Sequence, residues 1–281
     1  MMIETNGVTL HVVLEGPEDG PPVILLHGFP EFWISWEAQI EALAAAGFRV
    51  AAPDQRGYNR SDVPEGLRAY GIRTLTADVM GLADALGFER FNLAGHDWGA
   101  MVAWSAAITH PQRIDRLAIA NVPHPDVMVR TLRSSFEQLR RSWYALFFQI
   151  PRLPEMILSR RNFATMTDVL KRSSRPGTFP PEKLERYREA WSTSGLSGML
   201  NWYRAASQQI LGRVEEDRRV HVPTLIIWGR KDHALSDRMV EPSAALCDEA
   251  RVVYFDEATH WVQHEEPQAV SDLLIEHFRA S

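Results

Sequence analysis

Hydrophobic and polar positions change rhythm repeatedly along this chain, and the changes predict its elements. "VTLHVVLEG" alternates residue by residue, the signature of an antiparallel strand with one face inward. "PVILLHG" is an unbroken apolar run closed by glycine, as expected of a parallel strand buried on both faces. "FWISWEAQIEALAAAGF" then takes up helical spacing and is closed by Gly47; "RVAAPDQRG" predicts a strand running into a turn; "TLTADVMGLADALGF" predicts a helix closed by Gly87. "RFNLAGHD", "IDRLAIANV", "TLIIWG" and "RVVYF" are further strands, and "PQAVSDLLIEHFRAS" is a terminal helix. Strands separated by helices of this length predict a parallel, doubly wound sheet. That order breaks once, between "IDRLAIANV" and "TLIIWG", where helix-like segments rich in Arg, Trp and Tyr surround the loop "SSRPGTFPPEK". A helical lid over residues 124–215 is therefore expected, inserted into a core formed by 1–123 and 216–281. The charged "LGRVEEDRRV" is expected to be a solvated connection from lid to core.

Composition narrows the partners more than the fold. The 281 residues are 45% hydrophobic, enough for one large α/β domain carrying an insertion. A net charge of -6 with no basic run argues against nucleic acid as a partner. Cys247 is the only cysteine, so no internal disulfide can form. The opening "MMIETNGVTLHVV" lacks the positive start and apolar segment of a signal peptide, and no apolar stretch approaches the length of a membrane span. The expectation is a soluble cytoplasmic protein, with room left for a homodimer.

Candidate chemistry centres on "GHDWGA", Gly95 to Ala100, lying between a predicted strand and a predicted helix. Small residues at Gly95 and Gly99 suit a sharp strand-to-helix turn that lifts its apex residue out of the sheet, beside the free amides of a helix N-terminus. The apex is Asp97 rather than serine. A carboxylate is already ionised near neutral pH and needs no base to activate it. Attack on an acyl group would give a high-energy anhydride, whereas attack on a saturated carbon bearing a leaving group gives an ordinary ester. Epoxides and alkyl halides are thus the expected substrates. The ester must then be hydrolysed, and His260 in "EATHWVQHEEP", after the last strand, is placed to activate that water. Asp232 in "WGRKDHAL" is the expected orienting acid; Asn121 occupies the other position where this architecture can keep one, but lacks the charge. The amides of Phe29, in "HGFP", and Trp98 are the expected oxyanion donors. Ring opening of an epoxide releases an alkoxide and needs an acid of intermediate pKa, for which the lid offers Tyr144 in "SWYALFFQ" and Tyr203 in "LNWYRAA".

Taken in order, "HGFP", "GHDWGA", "SWYALFFQIPRLPE", "GMLNWYRAA", "WGRKDHAL" and "EATHWVQHEEP" resemble the α/β-hydrolase-fold epoxide hydrolases over practically the whole chain. The resemblance implies an α/β-hydrolase fold, a mostly parallel doubly wound sheet with an inserted helical cap. It implies Asp97 as nucleophile, Asp232 and His260 as the charge pair, Phe29 and Trp98 as oxyanion amides, and Tyr144 and Tyr203 as ring-opening acids. It also implies a small-molecule epoxide and water as reactants, with no metal or organic cofactor. Ala145 departs from members that carry glutamine after the first tyrosine. Haloalkane dehalogenases share the Asp-Trp elbow and remain the alternative, distinguished by halide release; fluoroacetate dehalogenases place arginine where Trp98 stands. A third reading is a non-catalytic receptor that keeps the pocket. His27 and His96 are expected to hold loops by hydrogen bonds, and His264, four residues after His260, to be solvated rather than a zinc ligand.

Overall fold

The computed structural model describes residues 1–209 and 218–280. An eight-stranded sheet runs in the order β1-β2-β4-β3-β5-β6-β7-β8. Its strands are β1 (Met2–Thr5), β2 (Val8–Glu15), β3 (Pro22–Leu26), β4 (Arg49–Pro53), β5 (Phe91–His96), β6 (Ile114–Ala120), β7 (Thr224–Gly229) and β8 (Ala250–Phe255). β1 and β2 form an antiparallel hairpin, β2 pairs antiparallel with β4, and every later pairing is parallel. The α/β-hydrolase fold expected from the sequence is the one found.

Between the strands lie α1 (Glu37–Ala45), α2 (Ile72–Ala85) and α3 (Trp98–Thr109). The helix expected over "FWISWEAQIEALAAAGF" begins instead with a 3-10 turn at Trp33–Trp36, and α2 starts two residues before the expected stretch. Alternate residues of β3 feed different apolar layers. Val23 and Leu25 pack with Ile40 and Leu43 of α1, whereas Ile24 and Leu26 pack with Leu75 and Val79 of α2 and Val102 of α3. This period of two explains the unbroken apolar run: both faces are covered, and each buried Leu or Ile contributes about 1.5–3 kcal/mol of hydrophobic stabilisation.

After β6 the described chain turns wholly helical: α4 (Pro125–Ser134), α5 (Phe136–Arg141), α6 (Trp143–Phe147), α7 (Leu153–Leu158), α8 (Arg160–Ser173), α9 (Pro181–Ser194) and α10 (Ser197–Gln209). α11 (Val240–Ala244), α12 (Val262–Glu265) and α13 (Pro267–Arg279) complete the chain, with Val270, Leu274 and Phe278 of α13 sealing the layer under α1. His124 ties the two ends of the helical segment together: its Nδ1 accepts from the Asp126 amide at 3.2 Å, and its Nε2 lies 2.9 Å from the Arg218 carbonyl, to which it donates. The expected boundary at 215/216, and most of the "LGRVEEDRRV" connection, lie outside the described residues. No described helix is long and apolar enough to cross a membrane.

Candidate active site

The site is built where β5 ends. All six residues of β5 are buried, and Asp97 follows with φ 50° and ψ -125°, a left-handed conformation that a non-glycine residue adopts only under strain. Its side chain does not cap α3. Two glycines permit the turn. A Cβ on Gly99 would strike the carbonyl oxygens of Leu26 and His27, and one on Gly28 would fall on the Asp97 side chain. The loop after β3 can therefore press against the elbow, and the Phe29 amide donates to Asp97 Oδ1 at 2.7 Å. Trp98 opens α3 and, like Asp97, lines the cavity above.

Asp97 Oδ2 lies 3.5 Å from His260 Nε2, and His260 Nδ1 lies 2.7 Å from Asp232 Oδ2. The three residues gathered from positions 97, 232 and 260 thus form one row. Asp232 has a fully buried side chain whose oxygens also accept from the Ala234 and Leu235 amides at 2.7 and 2.9 Å, and from Asn121 Nδ2 at 2.8 Å. Asn121 also receives the Gly229 amide at 2.9 Å, so the residue at the other acid position acts as a brace for the acid itself. Burial alone would raise the pKa of Asp232, but His260 and these donors hold it below the usual carboxylate range. Asp97 is likewise lowered against burial by His260, His96 and the Phe29 amide. Burial pushes the pKa of His260 down, yet Asp232 and Asp97 together raise it to about 10.

Above Asp97 a cavity of about 810 Å³ opens between core and helices, lined by Asp97, Trp98, Tyr144, Ala145 and Tyr203 among others. The rings of Tyr144 and Tyr203 stand 6.0 Å apart, edge to face, and Tyr203 also packs at 4.9 Å on Trp98. Gln149 fixes their spacing: its Nε2 donates to the carbonyls of Ala145 and Tyr203 at 2.9 and 3.3 Å, and its Oε1 accepts from Ser207 at 2.9 Å. Burial, then the Asp97 charge, raises the pKa of both phenols, which keeps them protonated as hydrogen-bond donors.

Behind this row lies a second cluster that sequence reasoning missed. His96 approaches the carbonyl oxygen of His260 to 2.8 Å with Nε2, while its Nδ1 stands 3.3 Å from Glu31 Oε2. Glu31 also receives the Tyr187 hydroxyl at 2.6 Å and His264 Nε2 at 2.6 Å. The expectation of a solvated His264 is corrected here: its side chain is only 3% exposed. Its Nδ1 accepts from the Lys183 ammonium at 2.9 Å, so the ring stays neutral with Nε2–H aimed at Glu31, in keeping with a pKa lowered by burial. His27 holds its loop as expected, accepting the Gln55 amide at Nε2 over 2.9 Å. Glu265 fixes the turn before His260 by accepting from the Thr259 amide at 2.7 Å and its hydroxyl at 2.8 Å. The one signal for the Glu31 cluster was an acid placed directly after "HGFP".

Comparison with known proteins gives the family and the fold. Residues 21–267 match the model of the alpha/beta hydrolase fold family. The chain is 43% identical to the AB hydrolase superfamily protein YfhM of Bacillus subtilis, covering 99% of this chain and 96% of that protein. It is 36% identical to Epoxide hydrolase A of Mycobacterium tuberculosis, over 98% and 95% of the two chains. A crystal structure of the M145A mutant of an epoxide hydrolase from Bacillus megaterium superposes with a TM-score of 0.90 at 30% identity, covering 100% of both chains. A strand-to-helix elbow bearing an aspartate, the acid–histidine row beside it and these likenesses over the full length lead to one conclusion: the chain belongs to the epoxide hydrolase family of the α/β-hydrolase fold.

Proposed function

We propose that this protein hydrolyses an epoxide to a vicinal diol through a covalent ester on Asp97, with residues 124–215 acting as the cap that closes the site over a core of 1–123 and 216–281. The reading rests above all on one observation: a single cavity holds Asp97, with one carboxylate oxygen on the Phe29 amide and the other facing His260, together with both phenols.

The steps follow from the charges. An ionised Asp97 oxygen forms a bond to a ring carbon as the carbon–oxygen bond of the epoxide breaks, and Tyr144 or Tyr203 gives its proton to the departing oxygen. Esterification removes the negative charge of Asp97, and with it one of the two carboxylates that raise His260. The imidazolium can then return a proton to the phenolate and become a base. It takes a proton from water, which attacks the ester carbon while the Phe29 and Trp98 amides receive the developing oxyanion. Collapse releases the diol and restores the carboxylate beside a protonated His260, the starting state. No metal or organic cofactor enters the balance.

Single turnover in heavy-oxygen water tests the ester. The first diol takes its new oxygen from Asp97 and the label enters the protein; a first product labelled by solvent would overturn the reading. His260→Gln accumulates the alkylated protein, visible by intact mass. A double Tyr144→Phe/Tyr203→Phe variant loses about 10²–10⁴-fold in epoxide opening, the usual worth of general acid catalysis. Unchanged turnover with halide release would instead favour the dehalogenase alternative.

A further inference from the structure

α5 reverses the usual order of a surface helix, and α6 extends its outer side. The inward side of α5 is polar: Gln138 is fully buried, donating to the Ala234 carbonyl at 2.8 Å and accepting the Ser236 amide at 3.1 Å, and Arg141 donates to the Asp232 carbonyl at 3.0 Å. The outward residues of α5 and α6 are apolar. Phe136 is 81% exposed, Leu139 46%, Trp143 63%, Leu146 65% and Ile150 44%, spaced three or four residues apart so that they form one stripe. Water gains nothing from such a face, and a contiguous apolar patch of this kind marks a contact surface.

Charge indicates what covers it. Residues 130–152 hold Arg130, Arg133, Arg140 and Arg152, while the inward Arg141 is paired with Glu137, the one acid of the segment, although the whole chain carries -6. Arg140 stands four residues after Phe136 and three before Trp143, on the stripe itself. An apolar stripe with an interfacial Trp and flanking arginines suits the headgroup layer of an anionic bilayer. A second copy meeting the same face about a two-fold axis would oppose arginine to arginine. Leu139 and Leu146 line both the stripe and the cavity, so the face is continuous with the mouth of the site.

We propose that the outer face of α5–α6 docks on an anionic phospholipid surface, so that apolar substrate passes from the lipid into the cavity without crossing water. The passage of substrate rests on the epoxide hydrolase reading; the docking does not. The test is flotation with phosphatidylcholine vesicles, pure or containing about a quarter phosphatidylglycerol. The protein is expected to float with the anionic vesicles about tenfold more tightly than with the neutral ones, and less as salt rises. The double variant Phe136→Ser/Trp143→Ser loses about tenfold or more of that binding while hydrolysing a water-soluble epoxide at the unchanged rate, and Arg140→Glu loses less. Asp97→Ala floats like the native protein, so failure of the reaction assignment leaves the docking standing. Absence of flotation, equal flotation of the double variant, or a dimer abolished by the same substitutions in sedimentation would overturn the proposal.

Discussion

Two buried acid–histidine clusters lie back to back in this protein, each built on a carboxylate facing an imidazole. In one, Asp232 faces His260 at 2.7 Å, and the ring's other nitrogen points at Asp97 across 3.5 Å. In the other, Glu31 faces His264 at 2.6 Å, and the ring's other nitrogen is taken by Lys183 at 2.9 Å. The difference lies at the open end. Asp97 lines a cavity, whereas Glu31 is walled in by Tyr187, Gln263 and His96 and lines none of it. An acid–histidine pair open to a cavity and one enclosed in the protein can therefore share one chemistry; access to a ligand separates them. His96 joins the two, its ring 4.6 Å from that of His260.

Removing the acid from each cluster should produce different losses. Asp232→Asn keeps the shape but leaves His260 without the charge that orients and stabilises it, and turnover should fall about 10⁴-fold while the protein stays folded. Turnover of a water-soluble epoxide checks this; a loss under tenfold would mean that Asp232 does not support His260. Glu31→Ala should act on stability first. It strips partners from His264, Tyr187 and Gln263 inside the protein, and breaking such a buried set costs about 3–5 kcal/mol, read from urea denaturation. The turnover of its folded fraction should fall less than that of Asp232→Asn. If the order were reversed, Glu31 would belong to the reaction.

Legibility in the sequence divides along the same line. The sheet and the elbow are local statements: apolar runs ended by glycine give β3 and β7, and the pairing of Gly95 with Gly99 marks the turn at Asp97. Even the missed β1 had a local sign, since Asn6 and Gly7, at φ 43° and 73°, are the residue pair of a tight hairpin turn. Asp97, Asp232 and His260 could be proposed as a group because each follows a recognisable strand, and they do meet in one row. The braces could not. Gln138 meets Ser236 across 98 positions, and Glu31 meets His264 across 233, so nothing in the local pattern announces either contact. His264 was misjudged for that reason: its spacing from His260 is visible in the sequence, but its partners come from a distant loop and from α9.

The subtlest contrast is in pH. His260 is raised to about 10, above its ordinary 6.5, because its charged form is held between two carboxylates. The folded state binds that proton more tightly than the unfolded chain. Its contribution to stability is complete below pH 6.5 and is lost as pH rises through 10, at up to about 1.4 kcal/mol per pH unit. His264 is lowered from 6.5 by burial, so the unfolded chain binds its proton better, and stability falls as pH drops below 6.5 toward its folded value. Urea denaturation from pH 5 to pH 9 should therefore show opposite changes in two variants. His260→Gln should flatten the alkaline limb and leave the acid one, whereas His264→Gln should flatten the acid limb and leave the alkaline one. Equal effects on the same limb would show that the two rings share one environment, and the distinction between the open and the enclosed cluster would fail.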